Sequence, residues 1–128
     1  MSGFDAGKST SSDNETDKRD RTAVAIRQVS DAIVLAVAGE IDMTTAPALE
    51  RAVRLSLAKH PATLIIDLTG AQFFSSAGIA VLVLAHRESA ATALRVVAAD
   101  RVVLRPLELT GLADDLAIRS TVEAALAG

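Results

Sequence analysis

The sequence predicts an α/β fold, a single domain in which about four helices pack on a mainly parallel sheet of four to five strands. Three observations carry this expectation. Short, largely aliphatic runs (Ile33 to Ala38, Leu64 to Ile66, Leu94 to Ala98) recur along the chain, and such runs are the mark of strands buried on both faces. Segments of helical character separate them, and buried strands joined by helices pair in parallel through right-handed crossovers. Half of the 128 residues are apolar but only 2% are aromatic, so the core is aliphatic, which suits strands covered by helices. A chain of this length buries roughly two thirds of its unfolded surface as one domain. The expected order is β-β-α-β-α-β-α-β-α, with no internal repeat and no second domain.

Each element has its own signal. Residues 1–21 are rich in Ser, Thr, Asp and Lys with almost nothing apolar. That composition predicts a disordered tail, leaving 22–128 as the domain. Val24, Ile26 and Val29 alternate as in a half-buried strand, and Ser30-Asp31 signals a turn. Ile33 to Ala38 reads as the central strand, ended by Gly39-Glu40-Ile41-Asp42. Thr44 or Thr45 then caps a helix with Pro47 in its first turn, where a missing N–H costs nothing. Leu49, Val53 and Leu57 form its apolar stripe, Glu50, Arg51 and Arg54 its wet side, and His60-Pro61 its end. Leu64 to Ile66 is the next strand, closed by Asp67, Thr69 and Gly70. Ser75-Ser76 caps a second helix that runs to about Glu88. After the strand Leu94 to Ala98, Asp100 caps a third helix, which Pro106 should kink or shorten and Gly111 should stop. Leu116 to Ile118 is a short edge strand, and Ser120-Thr121 opens a last helix containing Val122 and Leu126.

This order has a functional consequence. Parallel strands joined by helices place their carboxyl ends on one edge of the sheet, where such folds hold their sites. That edge should gather Glu40, Asp42, Thr44 and Thr45 after one strand, Phe73 to Ser76 after the next, and Asp100 after the third. Apart from Phe4, the two phenylalanines are the only aromatics. One is expected in the core and the other as a contact, and Phe74 is assigned to the contact.

Several chemistries are excluded. A net charge of −3 disfavours nucleic acid and anionic membranes, which call for clustered Lys and Arg. Without cysteine there is no disulfide, thiolate nucleophile or Cys-based metal site. No apolar run approaches the roughly 18 residues of a membrane span, and no signal-peptide pattern opens the chain, so a soluble cytoplasmic protein is expected. Gly7-Lys8-Ser9 hints at a phosphate-binding loop, but Gly3 stands one residue too close and no strand precedes it. A hydrolytic serine needs a base within hydrogen-bond reach. His86 lies ten residues along the helix from Ser76, about 15 Å away, and His60 closes the first helix at its far end. Phe74 to Gly78 also lacks the spacing of a nucleophile elbow. Glu40 and Asp42 carry no metal-site spacing. No catalytic residue, metal or cofactor is therefore expected.

The segments GEIDMTTAPALERAV from Gly39, LIIDLTGAQFFSSAGIAVLV from Leu64 and RPLELTGL from Arg105 resemble the anti-sigma factor antagonist family, the STAS domain. The resemblance covers about Val24 to Leu126, with the three blocks in family order and at family spacing. It implies a sheet of four or five strands with helices packed on it, matching the order above. It also implies a non-catalytic protein that binds an anti-sigma factor with serine-kinase activity and so frees a sigma factor. The family's switch is an acidic residue, a serine, a serine or threonine, then glycine and an aliphatic residue. These positions read Ser75, Ser76, Ala77, Gly78 and Ile79 here. Ser76 matches the phosphorylated serine, which a serine phosphatase would restore. Ser75 stands where the acid is usual, which makes it a rival acceptor, and Ala77 replaces the second hydroxyl. The expected partner-binding residues are Glu40, Asp42, Thr44, Phe74, Ser75, Ala77, Gly78 and Ile79. Other readings are a soluble STAS subunit of a transporter or lipid-trafficking complex, and a small nucleotide-binding or hydrolytic protein. The sequence carries no signal of oligomeric state.

Overall fold

A computed structural model describes residues 22–128, and the expected tail over 1–21 lies outside the described residues. Five strands form one sheet in the order of the chain, β1 (Thr22–Val29), β2 (Ala32–Ile41), β3 (Thr63–Phe74), β4 (Ala93–Val97) and β5 (Ala117–Arg119). The first pair is antiparallel and the other three pairs are parallel. The crossovers are α1 (Ala46–Leu57), α2 (Ser76–Glu88) and α3 (Arg101–Leu109), and α4 (Val122–Ala127) closes the chain. A single turn of 3₁₀ helix at Leu112–Asp114 precedes β5. The element order is the one the sequence predicts.

The alternation of β2 and β3 divides the core in two. Ile33, Leu35 and Val37 point to the same side as Leu64, Ile66 and Leu68, and there they meet Leu49 and Val53 of α1, Val81 and Leu82 of α2, and Val103 and Leu107 of α3. Val34, Ile65 and Val97 point the other way and pack with Ala125 of α4. Three helices thus cover one face and the short last helix covers part of the other. Two-sided burial holds for Ile33, Val34 and Leu35, whereas Ala38 is exposed. Ile26, expected on the half-buried side of β1, is 52% exposed, because β1 is an edge strand with a neighbour on one side only.

Both central strands run past the ends that the sequence suggests. β3 continues through Asp67, Thr69 and Gly70, and β2 through Gly39, Glu40 and Ile41. Polar and glycine residues normally punctuate a strand, but here they build bulges inside one. The Asp67 carboxylate accepts the Thr69 N–H at 3.0 Å and the Thr69 hydroxyl at 2.8 Å. There the register slips, so that Ala36 faces Asp67 while Ala38 faces Gly70. A second slip, between Gly39 and Glu40, falls where Gly39 has a φ of 99°, a conformation that glycine adopts without steric cost. Each slip inserts one unpaired residue into β3, and its far end, Phe73-Phe74, still pairs with Glu40-Ile41.

The helix termini follow the sequence signals with one exception. Asp100 accepts the Val102 N–H at 3.0 Å and Thr121 accepts that of Ala124 at 3.0 Å, both satisfying otherwise orphaned donors. Pro106 lies within α3, which ends three residues later at Leu109, and Gly111 turns the chain with a φ of 79°. The exception is α1, where the hydroxyls of Thr44 and Thr45 accept no N–H of the first turn. The residue that organises that turn is Asp42, described below.

Ile66 is fully buried on β3 between the helices and the neighbouring strands. Ile66→Ala is expected to lower stability by about 2–5 kcal/mol through the lost methyl groups and the cavity left behind, measured as a fall in the urea midpoint at unchanged slope.

Candidate functional site

Because β2 to β5 are parallel, the loops after them share one edge of the sheet. The antiparallel pairing Thr22↔Gly39 brings the start of β1 to the same edge. Two of these loops are joined directly, since the Ser75 N–H donates to the Ile41 carbonyl at 2.9 Å. The bond fixes the start of α2 against the end of β2.

The loop from Glu40 to Thr45 is tied by its own side chains. One Asp42 carboxylate oxygen accepts the N–H groups of Thr44 at 2.9 Å and Thr45 at 3.1 Å. The Thr45 hydroxyl accepts the Asp42 N–H at 2.9 Å and donates to the Glu40 carbonyl at 2.6 Å. Thr45 is therefore buried with its hydroxyl turned back to the strand, which is why it cannot cap α1. Asp42, through an aspartate turn, does the work expected of the threonines. Thr44 is exposed, while Glu40 and Asp42 are half-buried.

Ser75 and Ser76 have different surroundings. Ser75, the N-cap of α2, accepts the Ala77 N–H on its hydroxyl at 3.2 Å. Its carbonyl accepts the N–H groups of Gly78 at 3.0 Å and Ile79 at 3.2 Å. Ser76 is the first helical residue, exposed, and its hydroxyl makes no hydrogen bond with any described residue. One serine is spent on the architecture and the next stands in solvent. Ala77 and Ile79 are half-buried beside it.

Two expected contact residues belong to the core instead. Phe74 is only 5% exposed, and it is Phe73, 51% exposed, that faces solvent. Phe74 shares the core side with Leu64, Ile66 and Leu68, because the two single-residue bulges of β3 cancel. Gly78 is buried beneath the first turn of α2. A Cβ there would come within 2.7 Å of the Phe74 ring and 2.8 Å of Ile41. Glycine at 78 is thus a packing requirement, since it lets the helix approach the last residues of β2 and β3.

Among the described residues, neither histidine lies at the serines' edge of the sheet. His60 follows α1 and His86 lies in the last turn of α2, at helix ends that return to the amino edge of the sheet. Among the described residues no group of three or more His, Asp or Glu is placed to hold a metal ion, and no helix is long and apolar enough to cross a membrane.

Sequence reasoning missed one feature. Beside Phe73, α3 turns outward Val102, 38% exposed, and Leu109, 72% exposed. Arg101 and Arg105 stand next to them, and together with Gln72 and Pro106 these residues line a groove of about 400 Å³. The signal was present in the spacing: Val102 and Leu109 lie seven apart, on a stripe distinct from the buried Val103 and Leu107.

The chain belongs to the STAS domain family, whose model matches residues 23–125. Among curated relatives, the anti-sigma-F factor antagonist RsfB of Mycobacterium tuberculosis is 36% identical over 111 residues, 85% of this chain and 90% of that protein. The anti-sigma-B factor antagonist of Listeria monocytogenes is 35% identical over 96 residues, 71% of this chain and 82% of its own length. A crystal structure of an anti-sigma factor antagonist from Mycobacterium paratuberculosis superposes with a TM-score of 0.81 at 34% identity, covering 85% of this chain and 94% of that one.

The packing around Gly78 sets a test. Overpacking a rigid site costs about 1–3 kcal/mol, and alanine's helix propensity returns at most about 1 kcal/mol. Gly78→Ala is therefore expected to lower the thermal midpoint, and an unchanged or higher midpoint would show that Phe74 and Ile41 yield freely.

Proposed function

We propose that this chain is an anti-sigma factor antagonist, a binding protein and not an enzyme, acting in the cytoplasm through residues 22–128. Unmodified, it docks the carboxyl edge of its sheet on an anti-sigma factor with serine-kinase activity, and the sigma factor is freed. Phosphorylation of Ser76 by that partner ends the interaction, and a serine phosphatase restores it. The observation that carries this reading is the asymmetry of the serine pair. The Ser75 hydroxyl is committed to the helix cap, whereas the Ser76 hydroxyl is exposed and uncommitted on the first turn of α2. The two mycobacterial relatives and the Listeria protein, all named as antagonists of anti-sigma factors, support it.

The physical mechanism follows from charge. A phosphate on Ser76 carries about −1.5 to −2 charge, and at a helix N-terminus it meets the positive end of the dipole. The fold accommodates it. The partner does not, because burying that charge without a matching cation costs on the order of 3–5 kcal/mol. At 1.4 kcal/mol per tenfold, this is hundreds- to thousands-fold in affinity. Ser75 in place of the family's acidic residue is consistent with this arrangement, since serine and aspartate cap helices about equally well.

The test is a titration of purified anti-sigma factor with three forms of the chain. Ser76→Glu is expected to bind at least a hundredfold more weakly than wild type with an unchanged circular dichroism spectrum. Ser76→Ala is expected to bind like wild type and to take up no phosphate. Equal binding by the glutamate and alanine forms would contradict the electrostatic switch.

A further inference from the structure

The groove between the end of β3 and α3 combines three features that solvent alone does not explain. It exposes large apolar side chains, Phe73, Val102 and Leu109, at one place, where surface apolar residues are ordinarily scattered. It carries two arginines, Arg101 and Arg105, on a chain whose net charge is −3. Neither arginine forms an ion pair with a described residue, and Glu108, one turn further along α3, pairs with neither. Phe73 is also three residues from Ser76, at most about 11 Å away along the chain at 3.8 Å per residue, so the groove borders the switch.

Resting on the anti-sigma factor reading above, we infer that this groove is a second part of the docking surface. It takes a segment of the anti-sigma factor in which a large apolar side chain is flanked by carboxylates. Phe73 is the aromatic anchor, of the kind that dominates interface energetics. Arg101 and Arg105 form the polar rim, suited by their planar fork to bind carboxylates in pairs. An acidic partner segment also explains why the groove lies beside the phosphoacceptor: the dianion on Ser76 then meets like charge across the interface, and release does not depend on desolvation alone.

Calorimetric titration of the full chain against each purified serine-kinase-type anti-sigma factor of the same organism tests this. Phe73→Ala and the double variant Arg101→Glu/Arg105→Glu are each expected to bind at least tenfold more weakly than wild type. Arg51→Glu/Arg87→Glu, with the same change in net charge at exposed sites on α1 and α2, is expected to stay within about threefold. All the altered residues are exposed, and melting curves confirm folding. If Ser76→Glu loses binding while the groove variants bind like wild type, the groove is overturned and the proposed function stands. A control variant as weak as the groove variant would also overturn it, leaving only net charge. So would a wild-type homodimer that Phe73→Ala dissociates, since the occupant would then be a second copy. A wild-type chain that binds none of the anti-sigma factors overturns the function and the occupant together.

Discussion

The bond from the Ser75 N–H to the Ile41 carbonyl is the constraint from which the geometry of the site follows. It attaches the first turn of α2 to the end of the neighbouring strand, so the helix begins at a fixed height above the sheet. With Ser75 held there, its hydroxyl caps the helix and the next side chain falls outside the core. The availability of Ser76 is in this sense a by-product of how Ser75 is used. A cap contributes only about 1 kcal/mol, yet it distinguishes two adjacent, chemically identical hydroxyls, one bonded to the helix and one exposed.

The packing beneath that turn serves the same end. The helix can come close to the ends of β2 and β3 because residue 78 has no side chain, and Phe74 and Ile41 fill the space a Cβ would need. The site is therefore rigid where it meets the core and polar where it meets solvent. Such a surface binds without paying for loop ordering, and it can receive a charged group without rearrangement. The tied loop from Glu40 to Thr45 adds a second rigid wall. In the proposed switch, a phosphate at Ser76 acts by altering charge on a fixed shape.

Much of this was legible in the sequence because the signals were periodic. Aliphatic runs named the strands, amphipathic stripes the helices, and Asp100, Thr121 and Gly111 their ends. What escaped was set by single residues in tertiary context. Asp67, Thr69 and Gly70 look like the end of a strand, and only their hydrogen bonds reveal a bulge within it. Ending β3 there removed the alternation from Leu64 that would have sent Phe74 inward and Phe73 outward. Thr45 looked like a cap because residue type alone does not show which way a hydroxyl turns. The two serines could not be told apart for the same reason: moving a cap by one residue is within the ordinary uncertainty of a helix boundary, and here that residue separates a structural hydroxyl from an exposed one.

The most direct measurement is to incubate the chain with its anti-sigma factor and ATP and to locate the phosphate by fragment mass mapping. With the Ser75 hydroxyl held in the cap, phosphate is expected on Ser76 alone. Phosphate on Ser75 in the folded chain would contradict the account, because the cap would then leave that hydroxyl as free as its neighbour's.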